Sequence, residues 1–289
     1  MEYLLHILVI AGIYIILTVS LNLIIGFTGL PALGHAAFSC IGAYTSSLLA
    51  LNLGLSPWVG LFIGGCLAAV SGIVVGYPAV RLKGDYLALA TFGLGVIVYS
   101  IAKNWVSLTR GPMGLPGIPG FSVFGYQLSE IWHYLIIVAF FDFVTVFVIN
   151  RIVNSPFGRV LRSIREDEVA SLALGKDTNR HKLIVFIVGA FFAGIAGGLY
   201  AHYITFIDPS SFTVMESIVI LLMVIFGGME SIEGSIVGAV VLVVLPEMLR
   251  FFGMPSSIAA PLRQMIYGLL LVVLIIKRPQ GVMGTYRWR

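Results

Sequence analysis

The chain is 289 residues long, 59% hydrophobic and only 10% charged, against about 25% charged in an ordinary soluble domain. With a mean hydropathy of +1.03 it has too little polar surface to cover a water-soluble core. Its net charge of +4 is too small and too dispersed for nucleic-acid binding, so the composition predicts an all-α, polytopic membrane protein forming one transmembrane domain over 1–289.

A bilayer crossing takes about 20 predominantly apolar residues. Spans are accordingly expected near 4–25, 35–54, 57–78, 85–103, 131–150, 182–204, 214–228, 235–250 and 262–276, eight or nine in all. The second, seventh and eighth have the weakest pattern. The first begins Met1-Glu2-Tyr3 with no basic stretch and no small-residue cleavage site, so it is expected to persist as a helix rather than be removed as a leader.

The end of the first span is broken by glycine. Asn22 precedes Gly26, Gly29 and Gly34, and His35 opens the second span. A similar break, Gly227-Gly228 leading to Gly234, follows the seventh span. Two such segments can mark a solute pathway, because unwound backbone offers polar groups to a ligand; they can equally be close helix contacts. Gly60-x-x-x-Gly64 and Gly72-x-x-x-Gly76 are close-packing motifs. Cys40 and Cys66 offer neither a metal spacing nor a disulfide framework.

The loop 104–130 alternates Gly and Pro through 111–120 too densely for helix or central strand. It is expected to form a turn-rich cap. Residues 151–182 form the one long polar segment, with seven basic and four acidic residues. Ser155-Pro156 is a helix start, and Phe157, Leu161, Ile164, Glu168, Leu172 and Gly175 recur on one face. The expectation is a single amphipathic helix over 155–175, either a solvated loop helix or a docking helix. Charge bias in Arg81, Lys83, the 151–182 loop, Lys277, Arg278, Arg287 and Arg289 places the N-terminus outside and the C-terminus in the cytoplasm.

Ionisable groups in or near spans are His35, Asp85, Asp142, His202, Glu216 and Glu247. Asp142 is the deepest, and Asp85, Glu216 and Glu247 are expected near the interfaces. Each is costly in hydrocarbon and should face the bundle or water. There is no G-x-x-x-x-G-K-[ST] loop and no H-E-x-x-H or G-x-S-x-G motif. Any nucleotide-driven work therefore falls to other chains, and no catalytic or metal site is expected here. A stand-alone secondary transporter coupled through Asp142 is the alternative.

Several stretches carry a family resemblance. These are Gly26-Phe27-Thr28-Gly29 with Leu33-Gly34-His35-Ala36-Ala37-Phe38, Arg81-Leu82-Lys83-Gly84-Asp85-Tyr86, Thr109-Arg110-Gly111-Pro112-Met113-Gly114, Ser155-Pro156-Phe157-Gly158-Arg159 and Gly227-Gly228-Met229-Glu230-Ser231. Together they resemble the high-affinity branched-chain amino-acid ABC transporter permeases, most closely the LivM-type subunits, over nearly the whole chain. The resemblance implies a non-ATPase subunit paired with a homologous permease in a prokaryotic cytoplasmic (inner) membrane. Two ATPases would use ATP and Mg, and an extracytoplasmic binding protein would deliver substrate, with urea, short amides or another amino acid as alternative cargo. It also implies that 155–175 is the ATPase-coupling element. The family's E-A-A-x-x-x-G loop corresponds in spacing to Val169-Ala170-Ser171-x-x-x-Gly175, with valine where the family has glutamate.

Overall fold

The computed structural model describes residues 2–79, 82, 84–123, 126–128, 130–251, 265–266, 268–270, 272–273, 276–277 and 280–284. Arg81, Lys83, Arg278, Arg287 and Arg289 lie outside the described residues, as do seven of the fifteen residues of the expected 262–276 span. The helices are α1 (Glu2–Ile25), α2 (His35–Leu53), α3 (Pro57–Ala79), α4 (Asp85–Asn104), α5 (Val106–Thr109), α6 (Ile131–Val153), α7 (Pro156–Glu166), α8 (Glu168–Ala173), α9 (Thr178–Ile204), α10 (Val214–Gly227) and α11 (Ile232–Phe251). Six of them (α1, α2, α3, α4, α6 and α9) are long and apolar enough to cross a membrane. The two-residue strands β1 (Leu115–Pro116), β2 (Ser122–Val123), β3 (Tyr126–Gln127) and β4 (Phe206–Ile207) pair antiparallel as β1–β4 and β2–β3.

Close contacts at glycines set the packing of α2, α3 and α9. A Cβ on Gly42 would stand 2.1 Å from the Gly194 carbonyl oxygen, and one on Gly64 would stand 2.7 Å from that of Gly42. Gly197 presses on the Ser39 carbonyl and Gly60 on Ser46, while Gly72 and Gly76 rest on Ala190 and Leu183 of α9. Small residues let backbones approach where burying hydrocarbon drives nothing, since lipid is equally apolar. Both motifs read from sequence therefore act as helix contacts.

Around this trio, α1 runs antiparallel to α11, with Asn22 bonding Ser235 and Tyr3 bonding Glu247. Two ends result. One, the basic end, gathers 26–30, α7, α8 and the α10–α11 turn. The other, the loop end, gathers 105–130 and 205–213, stitched by β1–β4 and by His202 Nδ1, 2.7 Å from the Pro119 carbonyl.

Two spans are interrupted. At 1.5 Å per residue, the 14 residues of α10 reach about 21 Å, less than the roughly 30 Å hydrocarbon layer. The rest of that passage is non-helical chain from Thr205 to Thr213, holding the short strand β4 and a 3₁₀ turn at Pro209–Phe212. Similarly, residues 26–34 climb back along α1, so that α2 begins beside Ser20, with His35 Nε2 2.9 Å from its Oγ.

Candidate functional site

The expected single helix over 155–175 is two helices. Ser155 caps α7, its Oγ accepting from Gly158 N at 3.4 Å, and Pro156 occupies the first turn. The break comes at Asp167, whose carboxylate accepts from Val169 N and Ala170 N at 2.9 and 3.0 Å and thereby starts α8. Those donors are the first of a new helix, which is why an aspartate ends one helix and begins the next. Ser163 Oγ and Ser171 Oγ lie 2.6 Å apart and brace the elbow.

The face expected to point outward points inward. Leu161 is 0% and Ile164 4% exposed, both packed within the chain. Phe157 is half-buried and stacks on His181. Glu168 turns back to the buried Lys182 and to Thr178 Oγ1. These four hold the elbow onto the bundle, because α7 must bury its apolar stripe somewhere and α6 and α9 lie directly beneath it. The outward apolar surface belongs to α8 and its exit. Val169, Leu172 and Leu174 are exposed, with Ala170 and Gly175 beside them.

The polar face of α7 meets both glycine-broken segments. Arg162 Nε lies 2.7 Å from Glu230 Oε1 and Arg165 Nη1 lies 2.9 Å from Glu230 Oε2. Arg165 Nη1 also donates to the Gly26 carbonyl at 2.7 Å, and Nη2 pairs with Glu166 at 3.0 Å. Glu230 has φ 65°, left-handed backbone that costs a side-chain-bearing residue about 1–2 kcal/mol. Its N–H donates to Asn22 Oδ1 at 3.3 Å, and Asn22 Nδ2 donates to the Ser231 carbonyl at 2.9 Å and Ser235 Oγ at 2.7 Å. One carboxylate and one amide thus join α1, α7 and the α10–α11 turn. Glu230 carried no role in the sequence reading. The hints were an acidic residue two places after a glycine pair that ends an apolar run, and its place in a stretch that carries the family resemblance.

The pathway residues named from sequence are packed backbone in this conformation. A Cβ on Gly26 would strike Asn22 and come 2.8 Å from Glu230 N, and one on Gly29 would meet Arg165. Gly34 abuts the Thr91 carbonyl, while Gly227 and Gly234 abut each other. Gly228, at φ 114°, lies against Gly284, and Met283 N donates to the Gly227 carbonyl at 2.9 Å. The two breaks therefore meet at one end of the bundle, closed by the clamp that Arg162 and Arg165 form on Glu230, and His35 is buried beside Ser20.

Of the remaining ionisable candidates, Asp142 sits halfway along α6 beside Gly12 of α1. His202 bonds Ser46 Oγ at 2.7 Å, fixing the loop end. Glu247 is bonded to Tyr3 at the start of α1, and Asp85 opens α4. Glu216 departs from expectation. It accepts a hydrogen bond from Tyr14, halfway along α1, so it lies at mid-depth and not at an interface. The short α10, starting deep, is the reason.

A family profile described as "Branched-chain amino acid transport system / permease component" matches residues 3–275. The high-affinity branched-chain amino acid transport system permease protein LivM of Escherichia coli (strain K12) is 39% identical, covering 95% of this chain and 68% of that one. A probable branched-chain amino acid transport permease protein LivM of Methanocaldococcus jannaschii is 27% identical over 94% of this chain and 90% of its own. The LivH permease protein of Salmonella typhimurium is 24% identical over 94% and 91%. No solved structure matches the chain. The chain is a multi-pass membrane protein that belongs to the family of branched-chain amino acid transport system permease components.

Proposed function

We propose that this chain is the non-hydrolytic permease subunit of an ATP-driven importer, passing branched-chain amino acids received from an extracytoplasmic binding protein. It pairs with a homologous permease, and two ATPases dock at the basic end, which faces the cytoplasm of a prokaryotic cell by the bias of its positive charge. ATP and Mg are used on those partners and the chain itself binds no cofactor.

The observation that carries this reading is the elbow of α7 and α8. A coupling element must present an apolar surface to its motor and be held firmly to the spans it moves. Val169, Leu172 and Leu174 give the first, exposed at the basic end where a groove on a partner can bury them. Leu161, Ile164 and the two arginines on Glu230 give the second. A push on α8 passes through the Asp167 elbow to α7. From there it passes through Glu230 and the Gly26 carbonyl to α1, α10 and α11. The interior offers little fixed charge to hold a zwitterion tightly, so affinity resides in the binding protein.

The test is the double substitution Val169→Asp with Leu172→Asp, in the complex purified through a tag on this chain. Charges buried unpaired in a docking face cost several kcal/mol, so the ATPases should be lost while the permease inserts normally. Retained ATPases with unchanged uptake refute the docking role. Identifying the ligand of the cognate binding protein decides between branched-chain amino acids and other cargo.

A further inference from the structure

Between α1, the start of α2, the end of α9 and the start of α10 lies a cavity of about 140 Å³. Ile13, Leu17 and Ile220 form an apolar wall, and Ser39, Tyr200 and Glu216 supply polar groups. It sits apart from the clamp, at the depth where both interrupted spans begin. Three observations make it more than a packing gap.

The first is depth. Glu216 is half-buried and bonded to Tyr14, the residue midway along α1. A carboxylate there is not tolerated against lipid and must face water, a partner or a polar solute. The second is the meeting of helix starts. The N–H groups that open an interrupted span carry partial positive charge, and Ala36, in the first turn of α2, lines the cavity. Its own N–H is held at 2.9 Å by Ser217 Oγ on α10, so the two helix starts are tied together. The third is the lining, in which Glu216 and the hydroxyls of Ser39, Tyr200 and Ser211 stand among the apolar side chains of Ile13, Leu17, Phe212 and Ile220.

We propose that this cavity is a transit site for a zwitterionic α-amino acid with a short apolar side chain, a step that rests on the function proposed above. The ammonium group approaches Glu216, joining or displacing the Tyr14 hydroxyl. The carboxylate accepts from the Ser39 hydroxyl in the opening turns of α2, and the side chain lies on Ile13, Leu17 and Ile220. A cavity of about 150 Å³ holds a benzene-sized molecule, so the site has room for a small branched side chain. Glu216 also lies in the first turn of α10, where a carboxylate steadies the helix start with no ligand involved, and the test separates that role from binding.

The test uses the native complex in lipid, with Cys40 and Cys66 replaced and Ser39→Cys introduced. Its rate of modification is measured with a small cationic and a small anionic methanethiosulfonate reagent, with and without L-leucine. A wet, acidic transit site reacts faster with the cation by about tenfold or more, L-leucine slows the reaction, and adding Glu216→Gln removes both effects. An unreactive thiol, equal rates for the two reagents or no protection by leucine overturns the proposal. Glu216→Gln alone should lower leucine uptake at least about tenfold with its subunits and ATP hydrolysis retained. Unchanged uptake also overturns the site. If the parent complex itself shows no ATP-dependent uptake, it is the proposed function that fails.

Discussion

Removing the carboxylate of Glu230 is the sharpest perturbation of the clamp. In Glu230→Ala the Arg165 guanidinium, 8% exposed, loses its counter-ion at 2.9 Å. Stranding one member of a buried pair costs about 3–5 kcal/mol. Arg165 keeps the Gly26 carbonyl and Glu166, the latter 63% exposed, which brings the expected loss to about 2–3 kcal/mol. Arg162, at 37% exposure, adds about 0–1 kcal/mol, as surface pairs do. Against this, Leu161 and Ile164 each contribute about 1.5–3 kcal/mol of apolar burial. The elbow should therefore stay folded and lose its grip on the α10–α11 turn. ATP hydrolysis and leucine uptake, measured side by side in reconstituted complexes, read this out. The ATPases should remain bound and hydrolyse ATP, with uptake per ATP falling roughly tenfold or more, the equivalent of about 1.4 kcal/mol of lost linkage. Uptake per ATP equal to the parent's refutes the transmission route, and loss of the ATPases reduces Glu230 to a folding residue.

Arg162→Ala should shift thermal stability by no more than about 1 kcal/mol, whereas Arg165→Ala should cost about 2–3 kcal/mol; equal effects would contradict the burial difference. Leu161→Asp places an unpaired charge in the core at several kcal/mol, so it should abolish accumulation of folded permease, scored by size-exclusion chromatography. Gly228→Leu must fit a side chain where Gly284 backbone stands 2.2 Å away, at a φ of 114°, and should impair assembly severely. Gly54→Ala has open space and meets only left-handed strain, about 1–2 kcal/mol, and comparable losses at both sites would count against the packing argument. Single cysteines at Ser107 and Lys176, both exposed, should label from outside and inside respectively, and the reverse pattern inverts the orientation.

The helices of the bundle were legible because long apolar runs leave few alternatives, and 57–78 or 131–150 needed only counting. The glycine motifs were legible for the same local reason, since a small residue every fourth position can only serve close approach. The orientation of α7 was not. Its periodicity announces an apolar stripe, but a stripe does not say whether it faces the chain's own spans or a partner, and Leu161 and Ile164 went inward. The helix break at Asp167 was hidden in a segment of uniform period, although an aspartate three residues before Ala170 is an N-cap pattern. Glu216 was misplaced because hydropathy counts residues in a span and is blind to where in the bilayer an interrupted span begins. Glu230 needed the fold itself, since 65 residues separate it from Arg165 and nothing local links them.

The glycine contacts among α2, α3 and α9 have a mechanical consequence. Where Gly42, Gly64 and Gly197 press on backbone there are no rotamers to exchange, so these three helices should translate as one block. The block joins α1 and α10 through 26–34 and 205–213, chain that is non-helical apart from one short 3₁₀ turn. Peptide units there can rotate without breaking a helical ladder. Any stroke that slides the clamped helices past the block is absorbed at these two seams, and prolines that stiffen them should slow the stroke while leaving both bodies intact.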